Sequence, residues 1–121
     1  MNETETTIDN NNNNLMAAVA YALGLVSGLI IYLIEKDKPG KSKFVMFHAM
    51  QSIILSIAFI AFSIILSIIA IVPIIGWIIA IIAGLLFPLI ALVLWIFLMY
   101  KAYSGEEYHL PVIGEMAEKY I

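Results

Sequence analysis

His48, Gln51 and Ser52 form the densest set of polar side chains in a long stretch that is otherwise apolar. Spaced three and four residues apart, His48 can share a helix face with Gln51 and Ser52. An imidazole that can change charge near neutral pH, set beside an amide and a hydroxyl, could serve as a gate, a ligand site or a partner site. The same groups could instead reach water or bond a neighbouring helix close to the headgroups, and that structural reading is the stronger one. Catalysis has little to draw on. The chain has no Cys, a single further histidine, His109, and no Asp or Glu between Phe44 and Tyr100. No thiolate, no Ser–His–acid trio at membrane depth and no third ligand for a metal are in sight. The reading is a non-enzymatic protein with no catalytic residue, no metal and no cofactor. Ser52, Ser56, Ser63 and Ser67 lie within about one helix face and could wall a polar path, although Phe59 and Ile60 interrupt it. Serines that bond back to their own helix or across a helix seam are the commoner case.

The elements that must carry these residues are membrane helices. Hydrophobic residues make up 63% of the chain and charged ones 12%, against about half and about a quarter in soluble domains. Mean hydropathy is +1.00. Too few charges exist to clothe a water-facing surface, so the medium is the lipid bilayer. A net charge of −3, with six lysines and no arginine, offers no basic face for nucleic acid.

Residues 1–14, acidic and Asn-rich, bury nothing and predict a disordered tail; the acidic start and the long apolar stretch after it do not resemble a cleaved signal. Asn2-Glu3-Thr4 fits a glycosylation acceptor, a short match in an Asn-rich tail. Residues 15–34 carry no charge and have the roughly 20-residue length that crosses about 30 Å of hydrocarbon. A charged Pro-Gly turn follows at 35–43. The apolar stretch after it divides at Pro73 and Gly76 into spans over about 44–72 and 76–100. Pro88 cuts the latter into pieces too short to cross separately, so one helix bent between Gly84 and Pro88 is expected. Beyond the membrane domain (15–104), residues 105–121 predict a cytoplasmic amphipathic tail. Val112, Ile113, Met116 and Tyr120 fall on one face of it, and Glu115, Glu118 and Lys119 on the other. The fold class expected is an all-α integral membrane protein: a three-span helical bundle with a kinked third helix and a short C-terminal amphipathic helix. Lysines in short flanks then place the N-terminus outside and the C-terminus in the cytoplasm of a cell-membrane protein.

Helices in lipid associate through close backbone approach at small residues. Each expected span owns such a seam: Ala20, Gly24 and Gly28 in the first, the four serines in the second, and Gly76, Ala80, Gly84 and Pro88 in the third. Tight packing follows, within one chain or between copies.

Several segments, in order, resemble a known family: Tyr21–Gly28, Phe47-His48-Ala49 with Gln51-Ser52, Lys101-Ala102-Tyr103 with Gly105-Glu106, and Leu110-Pro111 with Ile113-Gly114. They are similar to small multi-pass membrane proteins of archaea and bacteria related to the magnetosome proteins MamF and MmsF and, distantly, to the twenty-kilodalton component of the chloroplast inner-envelope protein translocon. The resemblance covers about residues 15–121. It implies a helical membrane protein engaged in interaction or assembly, with His48, Gln51, Lys101, Tyr103 and Gly105 in a shared structural or partner role. The chloroplast relative has four spans and a transit peptide, which are not evident here. The expected function is an interaction or assembly scaffold with the bilayer, a second copy or another membrane protein as partner. The alternative is an oligomeric transport or translocation channel subunit.

Overall fold

The computed structural model describes residues 3–121, with side chains from Asn10 onward; Met1 and Asn2, and with them the glycosylation pattern, lie outside the described residues. Five helices follow one another: α1 (Glu3–Ala22), α2 (Leu25–Lys36), α3 (Lys43–Ile69), α4 (Ile75–Tyr103) and α5 (Ile113–Lys119).

Among the described residues, α3 and α4 are the two helices long and apolar enough to cross a membrane. At 27 and 29 residues, each is roughly 40 Å long at 1.5 Å per residue. They form an antiparallel pair. Ser42 starts α3, its side chain accepting the Val45 N–H at 3.3 Å, which satisfies one of the free donors of a helix start. At the far end the chain turns through Pro73-Ile74-Ile75, where Ile74 sits at φ +66° and the Ile75 N–H reaches the Pro73 carbonyl at 2.8 Å. Pro111-Val112-Ile113 repeats that tight turn ahead of α5, with Val112 at φ +68° and an N···O distance of 2.7 Å. α4 runs unbroken through Pro88, as the expectation of one helix rather than two required.

The first apolar segment is not one straight helix. Gly24 lies at φ +61°, ψ −120°, the geometry of the first central residue of a type II′ turn, and there the helix ends and reverses. The Gly24 N–H is held by the Tyr21 carbonyl at 3.2 Å, and the Leu23 N–H by the Ser27 hydroxyl at 2.9 Å. α2 then returns beside α1, bringing the Lys38 ammonium within 3.7 Å of the Met16 sulfur. The three-span expectation is not confirmed: among the described residues two helices are long and apolar enough to span, and the first apolar segment is a helical hairpin. Charge-free length is the same for a span and for a hairpin of two half-length helices; the left-handed glycine decides between them. The hairpin tip is level with Ser52 and Ser56 of α3, about nine to thirteen residues into that helix and hence about 13–20 Å deep.

Both ends of the hairpin meet the same end of the α3–α4 pair. The polar stretch expected to be disordered is helical from Glu3, and its Asn10–Asn14 half lies against Ser42, Phe44 and Gly105. Composition alone could not show this, because the helix is stabilised by docking rather than by its own propensity. At the end of α2, buried Glu35 accepts the Ser42 N–H at 2.8 Å and lies 3.2 Å from the Lys38 ammonium. The Asn-rich part of α1 and the C-terminal segment, which the three-span reading put on opposite sides, therefore sit at one end. So does the core: Ala17, Ala18, Tyr21, Leu55, Leu98, Ala102 and Leu110 pack together there, and Ala20, Ile31, Val45 and Ala49 form a second cluster beside them. The far halves of α3 and α4, from Ile57 to Val93, present isoleucines, leucines and Trp77 outward, a surface suited to hydrocarbon and untenable in water.

The hairpin makes two measurable statements. With Met16→Cys and Lys38→Cys in this cysteine-free chain, a short bis-maleimide should join the two positions within one molecule; a straight span would hold them roughly 30 Å apart. Gly24→Ala should lower thermal stability in detergent by about 1–3 kcal/mol, because a Cβ is strained at that backbone conformation and would stand 3.0 Å from the Ser56 hydroxyl.

Candidate functional site

The polar cluster singled out in the sequence lies at the meeting point of α1, α3 and the segment after α4. His48 and Gln51 are wholly buried and Ser52 nearly so. The ring Nε2 of His48 lies 2.9 Å from the Glu106 carbonyl. A carbonyl can only accept, so Nε2 carries the proton and donates; Nδ1 is then an acceptor and takes the Tyr21 O–H at 2.7 Å. The Gln51 amide nitrogen donates twice, to the Tyr21 oxygen at 2.8 Å and to the Tyr108 carbonyl at 2.9 Å. Its Oε1 accepts the Leu110 N–H at 3.0 Å. Every donor and acceptor in this chain of bonds has a partner, as buried polar groups require. Phe44, Phe47 and Tyr21 stand edge-on around the imidazole at centroid distances of 4.7, 5.3 and 5.4 Å and exclude water.

The arrangement is a clasp. It fastens the backbone at residues 106, 108 and 110 under the open end of the hairpin, and no group in it is left over for an external ligand. In the segment after α4 Gln51 bonds backbone atoms only, so that segment can vary in side chain without losing the bonds. The remaining residues of the resemblance position that segment. Gly105, at φ +83°, ends α4 in a Schellman motif: its N–H bonds the Ala102 carbonyl at 3.1 Å and the Glu106 N–H bonds the Lys101 carbonyl at 3.0 Å. Lys101 closes the same turn through Glu106 at 2.8 Å while lying 5.5 Å above the Phe97 ring. Tyr103, by contrast, is outside the clasp and exposed.

The small-residue seams divide into two groups. Ala20 is buried in the second core cluster. A Cβ on Gly28 would stand 3.1 Å from the Ala49 carbonyl and 3.2 Å from Ser52, so α2 and α3 touch nearly backbone to backbone. Ser52 donates to the Gly24 carbonyl at 3.1 Å, which also accepts the Gly28 N–H at 2.9 Å, and so ties the hairpin tip to α3. The other seam residues are not brought together. Ser56, Ser63 and Ser67 donate to the carbonyls four residues back in their own helix. Gly84 faces open space, and Gly76 serves the α3–α4 turn, where a Cβ would collide with the Ile69 carbonyl. Pro88 lines a cavity of about 410 Å³ below the hairpin tip, with Gly24, Ser56, Phe59 and Trp95; Trp95 bonds the Tyr21 carbonyl from its rim.

α5 docks differently from its sequence pattern. Gly114 and Ala117 face inward, whereas Val112, Met116 and Tyr120 of the expected apolar face are exposed. Beside α5, Glu107, His109 and Glu118 place one potential ligand atom each within 4.8 Å of one another. Sequence reasoning passed over this group because it looked for carboxylates near His48 inside the membrane; the i, i+2 spacing of Glu107 and His109 was the available signal.

Replacing Gln51 by Leu would leave the Leu110 N–H and the Tyr108 carbonyl unpaired, at about 1–3 kcal/mol for each buried group. The expected outcome is early proteolytic release of residues 105–121 and a lower melting temperature in detergent. Gln51→Glu should be intermediate, since it keeps an acceptor for Leu110 and loses both donors.

Residues 12–117 match the magnetosome magnetite crystal formation protein family. The chain is 42% identical to a UPF0132 membrane protein of Methanocaldococcus jannaschii, over 88% of this chain and 86% of that one. It is also 42% identical to a UPF0132 membrane protein of Archaeoglobus fulgidus, over 89% and 94%, and 39% identical to a second such protein of Methanocaldococcus jannaschii, over 88% and 69%. These matches concern the MamF and MmsF side of the resemblance; the chloroplast translocon has no counterpart among them. No solved structure matches the chain. Its apolar spanning pair, its lipid-suited surface and this match over nearly the whole sequence agree, and the chain belongs to the MamF and MmsF family of membrane proteins.

Proposed function

We propose that this protein is a non-enzymatic membrane scaffold that loads one leaflet of the bilayer more heavily than the other. The observation that carries the reading is the depth of the hairpin. Near the charged end the cross-section holds α1, α2, α3 and α4; past the Gly24 turn it holds α3 and α4 alone. A body broad in one leaflet and narrow in the other is a wedge, and wedges favour curved bilayers. The absence of charged residues between Phe44 and Tyr100 and the full use of His48 and Gln51 in structural bonds support a role without chemistry. The serine stripe, bonded to its own helix, favours no conducting path.

All six lysines, at 36, 38, 41, 43, 101 and 119, lie toward the end where the hairpin opens. By the preference of lysine-bearing flanks for the cytoplasm, that end faces inward in the cell membrane, with both termini on the cytoplasmic side. This replaces the outward N-terminus inferred from three spans. The seam residues left open, Ser63, Ser67, Ala80 and Gly84, supply the surface for self-association in the narrow half, where close approach of small residues is the usual means of helix pairing.

Reconstituted protein should enrich on vesicles of about 30 nm over those of about 200 nm and should shrink or tubulate the larger ones at high protein density; indifference to vesicle size would remove the proposal. For orientation, Val72→Cys should react with an impermeant maleimide added to intact cells, and Asn10→Cys only after permeabilisation. Gly84→Leu should abolish dimer crosslinks in membranes without lowering the melting temperature, since that site faces open space.

A further inference from the structure

We infer that Glu107, His109 and Glu118 form a binding site for a divalent first-row transition metal at the charged end of the molecule. His109 Nε2 stands 3.8 Å from Glu107 Oε1 and 3.6 Å from Glu118 Oε1. A tetrahedral ion bound at about 2.0–2.2 Å holds its ligands about 3.3–3.6 Å apart; the His109 pairs are within a few tenths of an ångström of that, and with all three atoms within 4.8 Å of one another closing the site takes a side-chain shift of about 1 Å between the two carboxylates.

The site is built from several directions. The His109 ring stacks on buried Phe47 at 4.1 Å and 29°. The backbone on either side of His109 is pinned by Gln51, through the Tyr108 carbonyl and the Leu110 N–H. Gly114 fits against His109 so closely that a Cβ there would lie 2.7 Å from the His109 Cβ. Glu118 follows Gly114 by one helical turn and so projects from the same face of α5. Its second oxygen, Oε2, is 3.6 Å from the Lys43 ammonium, which leaves Oε1 turned toward the imidazole. The three ligands come from two separate segments, and none is part of the buried clasp.

One imidazole with two carboxylates suits manganese, iron, cobalt or zinc, whereas magnesium and calcium prefer all-oxygen surroundings. Three protein ligands leave at least one position for water. An ion there would tie α5 to the 105–112 segment. Lys43 competes for Glu118 with a side chain that is 70% exposed and free to withdraw.

The test uses the full-length chain in detergent, without a polyhistidine tag. Isothermal titration with Zn2+ should give one site per chain. Co2+ should develop visible absorption of the intensity that marks four or five ligands. His109→Ala, Glu118→Gln and Glu107→Gln should each weaken binding at least about tenfold, on the scale of losses seen at metal sites, and Lys43→Gln should tighten it. Glu107 is exposed and outside the core, so Glu107→Gln keeps its metal-free melting temperature and remains informative if another variant unfolds. Absence of binding would overturn the assignment. So would binding that survives Glu107→Gln and His109→Ala unchanged, or that Mg2+ in equimolar amount displaces.

Discussion

A polar atom withdrawn from water must find a partner, and in this protein one small set of atoms meets that requirement for three parts of the chain at once. Tyr21 belongs to the hairpin, His48 and Gln51 to a spanning helix, and residues 106, 108 and 110 to the segment beyond the second span. Their bonds form one closed circuit. Removing any side chain from it strands atoms on the other elements, so hairpin, span and C-terminal segment are held as a unit. The stabilisation comes less from the net value of each bond, about 0.5–1.5 kcal/mol, than from the larger cost of leaving its partner buried and unpaired.

The same requirement explains the hairpin tip. A chain that reverses at membrane depth frees backbone groups which lipid cannot satisfy. Here the Ser52 hydroxyl takes the Gly24 carbonyl, the Ser27 hydroxyl takes the Leu23 N–H and donates to the Ala20 carbonyl, and Trp95 takes the Tyr21 carbonyl. The Gly24 and Tyr21 carbonyls also accept the Gly28 and Gly24 N–H groups, so the hydroxyls and the indole N–H from three helices add bonds that fasten the tip to its neighbours. Ser52 reads in the sequence as a seam residue; in the fold it joins Ser27 and Trp95 in holding the reversal. The hairpin ends level with Ser52 and Ser56 because of their placement, and with that comes the one-sided shape that the scaffold proposal rests on.

Small residues serve two purposes along this chain. Ala20, Gly24, Gly28 and Ser52 allow the hairpin to press against α3, where a larger side chain would separate the backbones and break the bonds described above. Ala80 and Gly84, with the same spacing, meet nothing within the monomer at Gly84. Spacing alone marks a surface fit for close approach and leaves the approaching surface unnamed.

The sequence by itself determined the medium, the two long spans, the helical class and the identity of the polar cluster, because charge-free length and residue type are local properties read one segment at a time. It showed His48 and Gln51 as a pair on one helix face without showing that, besides Tyr21, their partners lie more than fifty residues away, in backbone atoms whose positions no residue type reveals. Whether residues 15–34 cross or turn back depended on the backbone angle at Gly24, and glycine accepts either a helical or a left-handed conformation. The tertiary structure chose the turn because Ser52, Ser27 and Trp95 were there to satisfy the groups it exposed. That choice also laid the Asn-rich helix beside Ser42 and Gly105, while the bonds from Gln51 and the packing of Gly114 on His109 brought Glu107, His109 and Glu118 together.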